Sequence, residues 1–291
     1  GKGSARLKVF NYPHEVETGR TSSIGHQIVG YNEKGDVMNY SGKKQFNWPD
    51  IVKKSSKVIS FYDLAGHEKY LKTTIFGLAS GRPDVCLIMV AANKGLNQKI
   101  RMTLEHMFLC KTLGIPFAIV VTKIDMTHGR DNVLEATLSS ISTILKKPGI
   151  RRIPIRIKTS EDVIRSAINI QSQSIVPIFP VSNVSMEGID KVHEFLNLTP
   201  KKIYEKKISG VEIHCDHAWT ITGVGTVVGG HLLGGTVKVG DKLWYGPHNN
   251  TYIKVLVRSI HCKRVSVSQI STPTYICLSL KGVGSSFTKQ D

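Results

Sequence analysis

The sequence predicts an α/β fold, a doubly wound and mostly parallel sheet, followed by an all-β barrel. Three observations lead there. Over the first two hundred residues, apolar runs of strand length alternate with amphipathic helical segments. After residue 207, short β-rich runs alternate with glycine turns, and no helical period is found. The 291 residues, 41% of them hydrophobic, give length for about two domains and apolar side chains for two cores. The expected division is an α/β domain over 1–200, a charged linker over 201–207 (Lys-Lys-Ile-Tyr-Glu-Lys-Lys) and a barrel over 208–291.

Taken in order, residues 1–30 show no clear period, and the polar stretch 31–57 carries the turn signal Asn32-Glu33-Lys34-Gly35-Asp36, which predicts a hairpin or a long loop. The first clear strand is 58–62, a run rich in β-branched and aromatic residues. A helix after it carries apolar residues at Leu71, Ile75 and Leu78. Further strands are expected at 85–92, 117–121, 153–157 and 176–181. Helices are expected near 99–112, 131–146, 160–168 and 188–197. In the barrel, strands are expected at 208–214, 224–228, 236–239, 242–245, 252–261 and 274–280.

Charge narrows the partners. Lys and Arg number 39 against 22 Asp and Glu, a formal net charge of +17. That excess attracts polyanions, nucleic acid or an acidic membrane surface, and composition alone does not choose between them. The basic residues cluster at 53–57, 146–158, 201–207 and 254–264. The five cysteines (Cys86, Cys110, Cys215, Cys262, Cys277) form no C-x-x-C pair, which argues against a zinc site or a redox pair and for reduced thiols. No apolar run reaches the roughly 18 residues of a membrane span, and the start has neither a signal-peptide core nor an initiator Met.

Three loops follow three apolar strands: Asp63-x-x-Gly66-His67, Thr122-Lys123-x-Asp125 and Ser182-Asn183-Val184. With the strands parallel, all three fall on one rim of the sheet, where α/β proteins bind ligands. A carboxylate at the position of Asp63 suits a metal-bound water, and a glycine at 66 lets backbone approach a phosphate. Guanine offers N1–H and its 2-amino group as adjacent donors. Asp125 can accept both, Lys123 can lay its aliphatic stem on the purine face, and the 182–184 amides can donate to O6. The plainer alternative for Asp125 is a helix N-cap, and for Gly223, Gly225 and Gly230 in the barrel it is tight turns.

The chain resembles the translational GTPase superfamily, most closely the GTP-binding protein 1 and 2 family, related to elongation factors 1α and Tu. The resemblance rests on Gly19-Arg-Thr-Ser-Ser23, Asp63-Leu-Ala-Gly-His-Glu-Lys-Tyr-Leu-Lys-Thr-Thr74, Met102-Thr-Leu-Glu-His106, Thr122-Lys-Ile-Asp-Met126 and Gly223-Val-Gly-Thr-Val-Val228. It implies a P-loop GTPase-type domain and a domain II barrel. It implies that Thr21 reaches Mg²⁺ and the γ-phosphate, that Asp63 holds Mg²⁺ through water, that the Gly66 amide senses the γ-phosphate, and that His67 orients the attacking water. Nucleotide binding would then involve Thr21, Asp63, Gly66, Thr122, Lys123, Asp125, Ser182, Asn183 and Val184.

Two departures stand out. The phosphate loop G-x-x-x-x-G-K-[ST] does not occur, since Gly1-Lys2-Gly3-Ser4 has the wrong order, so an N-terminally truncated GTPase domain is expected. Thr122 stands where Asn is commoner, as in the related family. The expected function is a GTPase of the elongation-factor type. It would use Mg²⁺, bind GTP and GDP, and engage the ribosome or RNA (tRNA or rRNA) through basic faces and domain II, as a cytoplasmic monomer. The second expectation is a nucleotide-independent ribosome- or RNA-associated module.

Overall fold

The computed structural model describes residues 9–41, 44–94, 100–127, 129, 131–201, 210–248, 250–271 and 273–283. The chain forms two compact units, Gly1–Val37 with Lys57–Ile203, and Met38–Ser56 with Tyr204–Asp291. Residues 38–56, expected within the first domain, therefore group with the second. Most of the expected linker and the tetrapeptide Gly1–Ser4 lie outside the described residues.

The first unit opens with helix α1 (Pro13–Thr18) and strand β1 (Gly25–Tyr31). The chain then runs through the second unit: two short antiparallel strands, β2 (Tyr40–Ser41) and β3 (Lys44–Gln45), and helix α2 (Trp48–Lys54). The sequence pattern predicted no helix there. The helix is set locally instead: the Asn47 side chain caps it by accepting the Asp50 amide at 2.9 Å, and Pro49 occupies its first turn. The Arg264 guanidinium sits 4.4 Å from the Trp48 ring centre, tying α2 to the barrel strands of the same unit.

Back in the first unit, β4 (Lys57–Asp63) pairs antiparallel with β1, Gly25 lying opposite Asp63 and Tyr31 opposite Lys57. Then follow α3 (Leu71–Gly81), β5 (Cys86–Ala91), α4 (Ile100–Thr112), β6 (Phe117–Thr122), α5 (Asp131–Lys146), β7 (Ile153–Arg156), α6 (Ser160–Asn169), β8 (Ile175–Pro180) and α7 (Ile189–Leu198). Four of these strands make a parallel sheet in the order β5-β6-β8-β7. The run Phe117–Val121 is buried residue by residue, as a central strand covered on both faces requires. Its side chains alternate: Ile119 and Val121 join Met107, Leu138 and Ile141 on one face, while Ala118 and Val120 join Val163, Phe179 and Phe195 on the other. So α4 and α5 cover one side and α6 and α7 the other, a doubly wound arrangement. Lys57 fixes α7 to β4 by donating to the carbonyls of Leu196, Asn197 and Thr199 at 3.1, 2.5 and 2.8 Å, the orphan acceptors of a helix C-terminus.

The second unit's sheet is antiparallel, ordered β12 (Lys242–His248), β13 (Thr251–Cys262), β16 (Thr274–Lys281), β10 (Gly225–Gly234), β9 (Glu212–Ile221). Short strands β11 (Val237–Lys238) and β15 (Gln269–Ile270) pair with each other, and β14 (Val265–Val267) pairs with β13. The apolar side of the sheet closes on a core of Val228, Leu232, Val255, Ile260, Ile276 and Leu278. Gly223 (φ +81°) and Gly225 (φ +95°) do serve the β9–β10 turn. Gly230 does not: it sits at a bulge in β10, where an added Cβ would lie 2.2 Å from the His214 carbonyl oxygen, so the backbones themselves require the glycine. Among the described residues, no helix is long and apolar enough to cross a membrane.

Candidate functional site

The site grows from strand ends in the first unit. β4 ends at Asp63, where the sequence turns from a run rich in β-branched and aromatic residues to Leu64-Ala65-Gly66-His67. The Thr21 hydroxyl donates to Asp63 Oδ2 at 3.4 Å, bringing together the two residues expected to serve the metal. Close approach is built in: an added Cβ at Gly25 would lie 2.6 Å from Val9 Cγ1 and 3.4 Å from Asp63 Cβ. Ala65 is buried, and its carbonyl accepts the Thr74 hydroxyl at 2.5 Å, which anchors the loop to α3. Gly66 is exposed, and beyond its own chain neighbours nothing lies within 4 Å of where its Cβ would stand.

His67 is exposed and precedes a 3₁₀ turn over Glu68–Tyr70. Its Nδ1 accepts the Lys69 amide at 3.2 Å. With Nδ1 the acceptor, the proton of the neutral ring sits on Nε2, which makes Nε2–H the outward donor.

At the end of β6, Lys123 takes a left-handed conformation (φ +64°) and Ile124–Thr127 form a 3₁₀ turn. Thr122 donates its hydroxyl to the Val90 carbonyl at 3.3 Å, joining β6 to β5. Asp125 does not cap α5, which starts at Asp131. Its Oδ1 accepts the hydroxyl of the fully buried Ser182 at 2.7 Å. Ser182 Oγ in turn accepts the amides of Val184 and Ser185, each at 3.1 Å, and the Ser182 amide donates to the Glu187 carbonyl at 3.0 Å. Two of the three loop amides expected to face O6 are therefore already engaged, which narrows that expectation to Asn183.

A cavity of about 530 Å³ joins the first two loops: Asp63, Ala65, Gly66, Ala91 and Lys123 line it together with the inner edges of β4 and β5. Among the described residues those two edges carry no strand partner, although β4 and β5 are paired on their other sides. Met89, in the middle of β5, lines this cavity and is 59% exposed.

A family model described as the elongation factor Tu GTP binding domain matches residues 2–202. The chain belongs to that family. As a member of this translational GTPase family, it is 42% identical over 273 residues to GTP-binding protein 1 of Xenopus laevis, covering 93% of this chain and 41% of that one. To GTP-binding protein 2 of Homo sapiens it is 40% identical over 271 residues, covering 91% and 44%. Translation elongation factor SelB from Methanococcus maripaludis, in complex with the GTP analogue GppNHp, shares the fold with a TM-score of 0.62 and 22% identity over 94% of this chain and 50% of that one. The chain thus spans less than half the length of the two named relatives. The likeness agrees with the α/β domain followed by a β-barrel domain.

Two functional-site features escape the sequence pattern. Ser182 was expected to act through its backbone, whereas its side chain is what holds Asp125. Glu15, fully buried in a stretch without apolar period, organises the loop that carries Thr21. The signal for it is slight: Pro13 at a helix start with an acid two residues later.

Proposed function

We propose that this chain is the nucleotide-binding part of a GTPase of the elongation-factor type, hydrolysing GTP to GDP and phosphate and coupling that step to the ribosome or RNA. The observation that carries the reading is the pairing of Thr21 with Asp63 at one strand end, on the same cavity as Lys123, with Asp125 held by Ser182 beside it. One hydroxyl and one carboxylate fit a hard cation such as Mg²⁺, which keeps several waters and shares phosphate oxygens rather than filling an all-protein cage. No cluster of three or more His, Cys, Asp or Glu side chains suited to a metal occurs among the described residues. Bound Mg²⁺ supplies charge stabilisation on the phosphates.

In this reading Thr21 and Asp63 orient the metal and its water. The Gly66 amide faces the γ-phosphate, and the open space beside it admits that approach. His67 presents Nε2–H toward the attacking water and positions it. Asp125 accepts from guanine N1–H and the 2-amino group, the Lys123 stem covers the purine face, and the Asn183 amide is the donor left for O6; Thr122 and Val184 complete this pocket. The +17 charge fits a polyanionic partner, which in this reading is ribosomal or other RNA in the cytoplasm.

The test is a titration of fluorescent GDP and GTP with and without Mg²⁺, followed by phosphate release, on the full-length natural protein. Tight Mg²⁺-dependent GTP binding with slow turnover is the expected result. Failure to bind either nucleotide would refute the reading.

A further inference from the structure

We propose that Glu15 is a positioning residue for this site: its carboxylate folds the 19–24 loop and so presents Thr21 to Asp63. The role in hydrolysis rests on the GTPase reading; the role in shaping the loop does not. Glu15 has no solvent exposure, an unusual place for a carboxylate. A buried charge is tolerated when hydrogen bonds satisfy it, and here six do. Oε2 accepts the amides of Asn11 and Tyr12 at 2.7 and 3.1 Å. Oε1 accepts the amide and hydroxyl of Ser22 at 2.6 and 2.8 Å, and those of Ser23 at 2.8 and 2.9 Å.

The geometry converts this into control of Thr21. Glu15 lies in α1, which closes at Gly19 in a left-handed conformation (φ +62°). The chain then passes through Arg20 and Thr21 and is caught at Ser22 and Ser23, the next two residues. The Asn11 side-chain amide adds bonds to Ser23 Oγ at 2.9 Å and to the Ile24 carbonyl at 3.2 Å. Immediately afterwards Gly25 enters the β ladder opposite Asp63. Thr21 therefore has a fixed hub on one side and its partner's strand beyond it. Every donor to Glu15 comes from residues 11–23, so the hub closes from local chain alone.

The charge state fits that role. Burial pushes the carboxyl up, but the donors from Ser22, Asn11 and Ser23 outweigh it and hold the group far below the usual carboxylate range. A depressed folded value means the stabilisation is complete above the unfolded value of about 4.3 and is lost only as pH falls through the folded one. All six partners donate, so Glu15→Gln is the informative change: the amide nitrogen faces donors whichever way it turns.

The experiment compares the full-length protein with its Glu15→Gln and Ser22→Ala/Ser23→Ala variants. Hydrogen exchange at the amides of residues 22 and 23, and the rate of tryptic cleavage after Arg20, report the loop. GDP affinity and single-turnover GTP hydrolysis report the site. The expected result for Glu15→Gln is exchange and cleavage faster by roughly tenfold or more, from losing charge-assisted bonds. GDP affinity should stay within a few-fold, and hydrolysis should fall by about a hundredfold from misplacement of Thr21. The double serine variant should move in the same direction. Unchanged exchange overturns the proposal, as does faster exchange with hydrolysis at the wild-type rate. A wild-type protein that neither binds nor hydrolyses GTP refutes the GTPase reading instead, and the exchange comparison still decides whether Glu15 shapes the loop.

Discussion

Ser182 Oγ donates to Asp125 at 2.7 Å while accepting the amides of Val184 and Ser185, so one buried hydroxyl ties the loop after β8 to the carboxylate proposed to read guanine. The arrangement aims Asp125 and shapes the O6 loop with the same atom. A side chain that does both links base specificity to local stability.

Asp125→Asn is expected to exchange the preferred base. The amide offers one acceptor and one donor where the carboxylate offers two acceptors, which mismatches the paired donors of guanine and suits xanthine, whose C2 carries an oxygen. Binding of GTP should fall by orders of magnitude relative to XTP, because a site built to hydrogen-bond one pattern leaves buried groups unpaired with another. Ser182→Ala should cost about 1–3 kcal/mol of stability from the orphaned loop amides and weaken GTP against ATP discrimination. Competition titrations with GTP, ATP and XTP, and urea unfolding, check both.

Thr21→Ala and Asp63→Asn should act chiefly on metal dependence. The two side chains touch each other and are the residues assigned here to the proposed metal site. Substituting either is expected to weaken Mg²⁺-dependent GTP affinity by roughly 10- to 100-fold, the range for groups that orient a metal's ligands. Affinity measured in EDTA should barely change. Loss of equal size with and without metal would show a structural rather than a metal-linked role.

Much of this was legible in the sequence because burial on both faces leaves continuous apolar runs. Phe117–Val121 and Val176–Phe179 announce central parallel strands, and their C-terminal ends locate the loops at 122–125 and 182–184. β1 and α2 were not legible: β1 mixes buried Ile28 with polar His26 and Gln27, and α2 depends on the Asn47 cap rather than on an apolar stripe. β9 extends to Ile221, past the expected end at 214, since a register shift between Cys215 and His217 breaks the two-residue alternation there. Glu15 and Ser182 act by closing contacts between segments, which no local period records.

The barrel is expected to lose stability as pH rises through neutrality. His217 Nδ1 lies 3.0 Å from Asp216 Oδ1, and the ring stacks on Trp219 at 5.4 Å. The Asp216 carboxylate beside the ring raises the His217 pKa above its usual 6.5 against the opposing effect of burial. A raised folded value means the contribution is fully present below the unfolded pKa and disappears as pH climbs through the folded one. Urea midpoints should therefore be higher at pH 6 than at pH 8. Asp216→Asn should lower the His217 pKa in an NMR titration and flatten that difference while keeping an acceptor for the Tyr275 hydroxyl, now 2.9 Å from Asp216 Oδ1.

Two glycine-to-alanine changes should separate fold from function. At Gly230 an added Cβ would meet the His214 carbonyl oxygen at 2.2 Å and Cys215 Cα at 2.8 Å. Backbone atoms cannot swing aside like a flexible side chain, so Gly230→Ala should destabilise the barrel by about 1–3 kcal/mol, as overpacking does. At Gly66 the same methyl would meet nothing within 4 Å, and the residue does not occupy the left-handed region that favours glycine. Gly66→Ala should therefore leave unfolding within about 0.5 kcal/mol of wild type. If the Gly66 amide faces the γ-phosphate, the methyl intrudes on that approach: GTP affinity and hydrolysis fall while GDP affinity holds. Equal binding of both nucleotides by Gly66→Ala and wild type would remove this loop from the γ-phosphate site, whereas loss of stability would show that the glycine serves the fold instead.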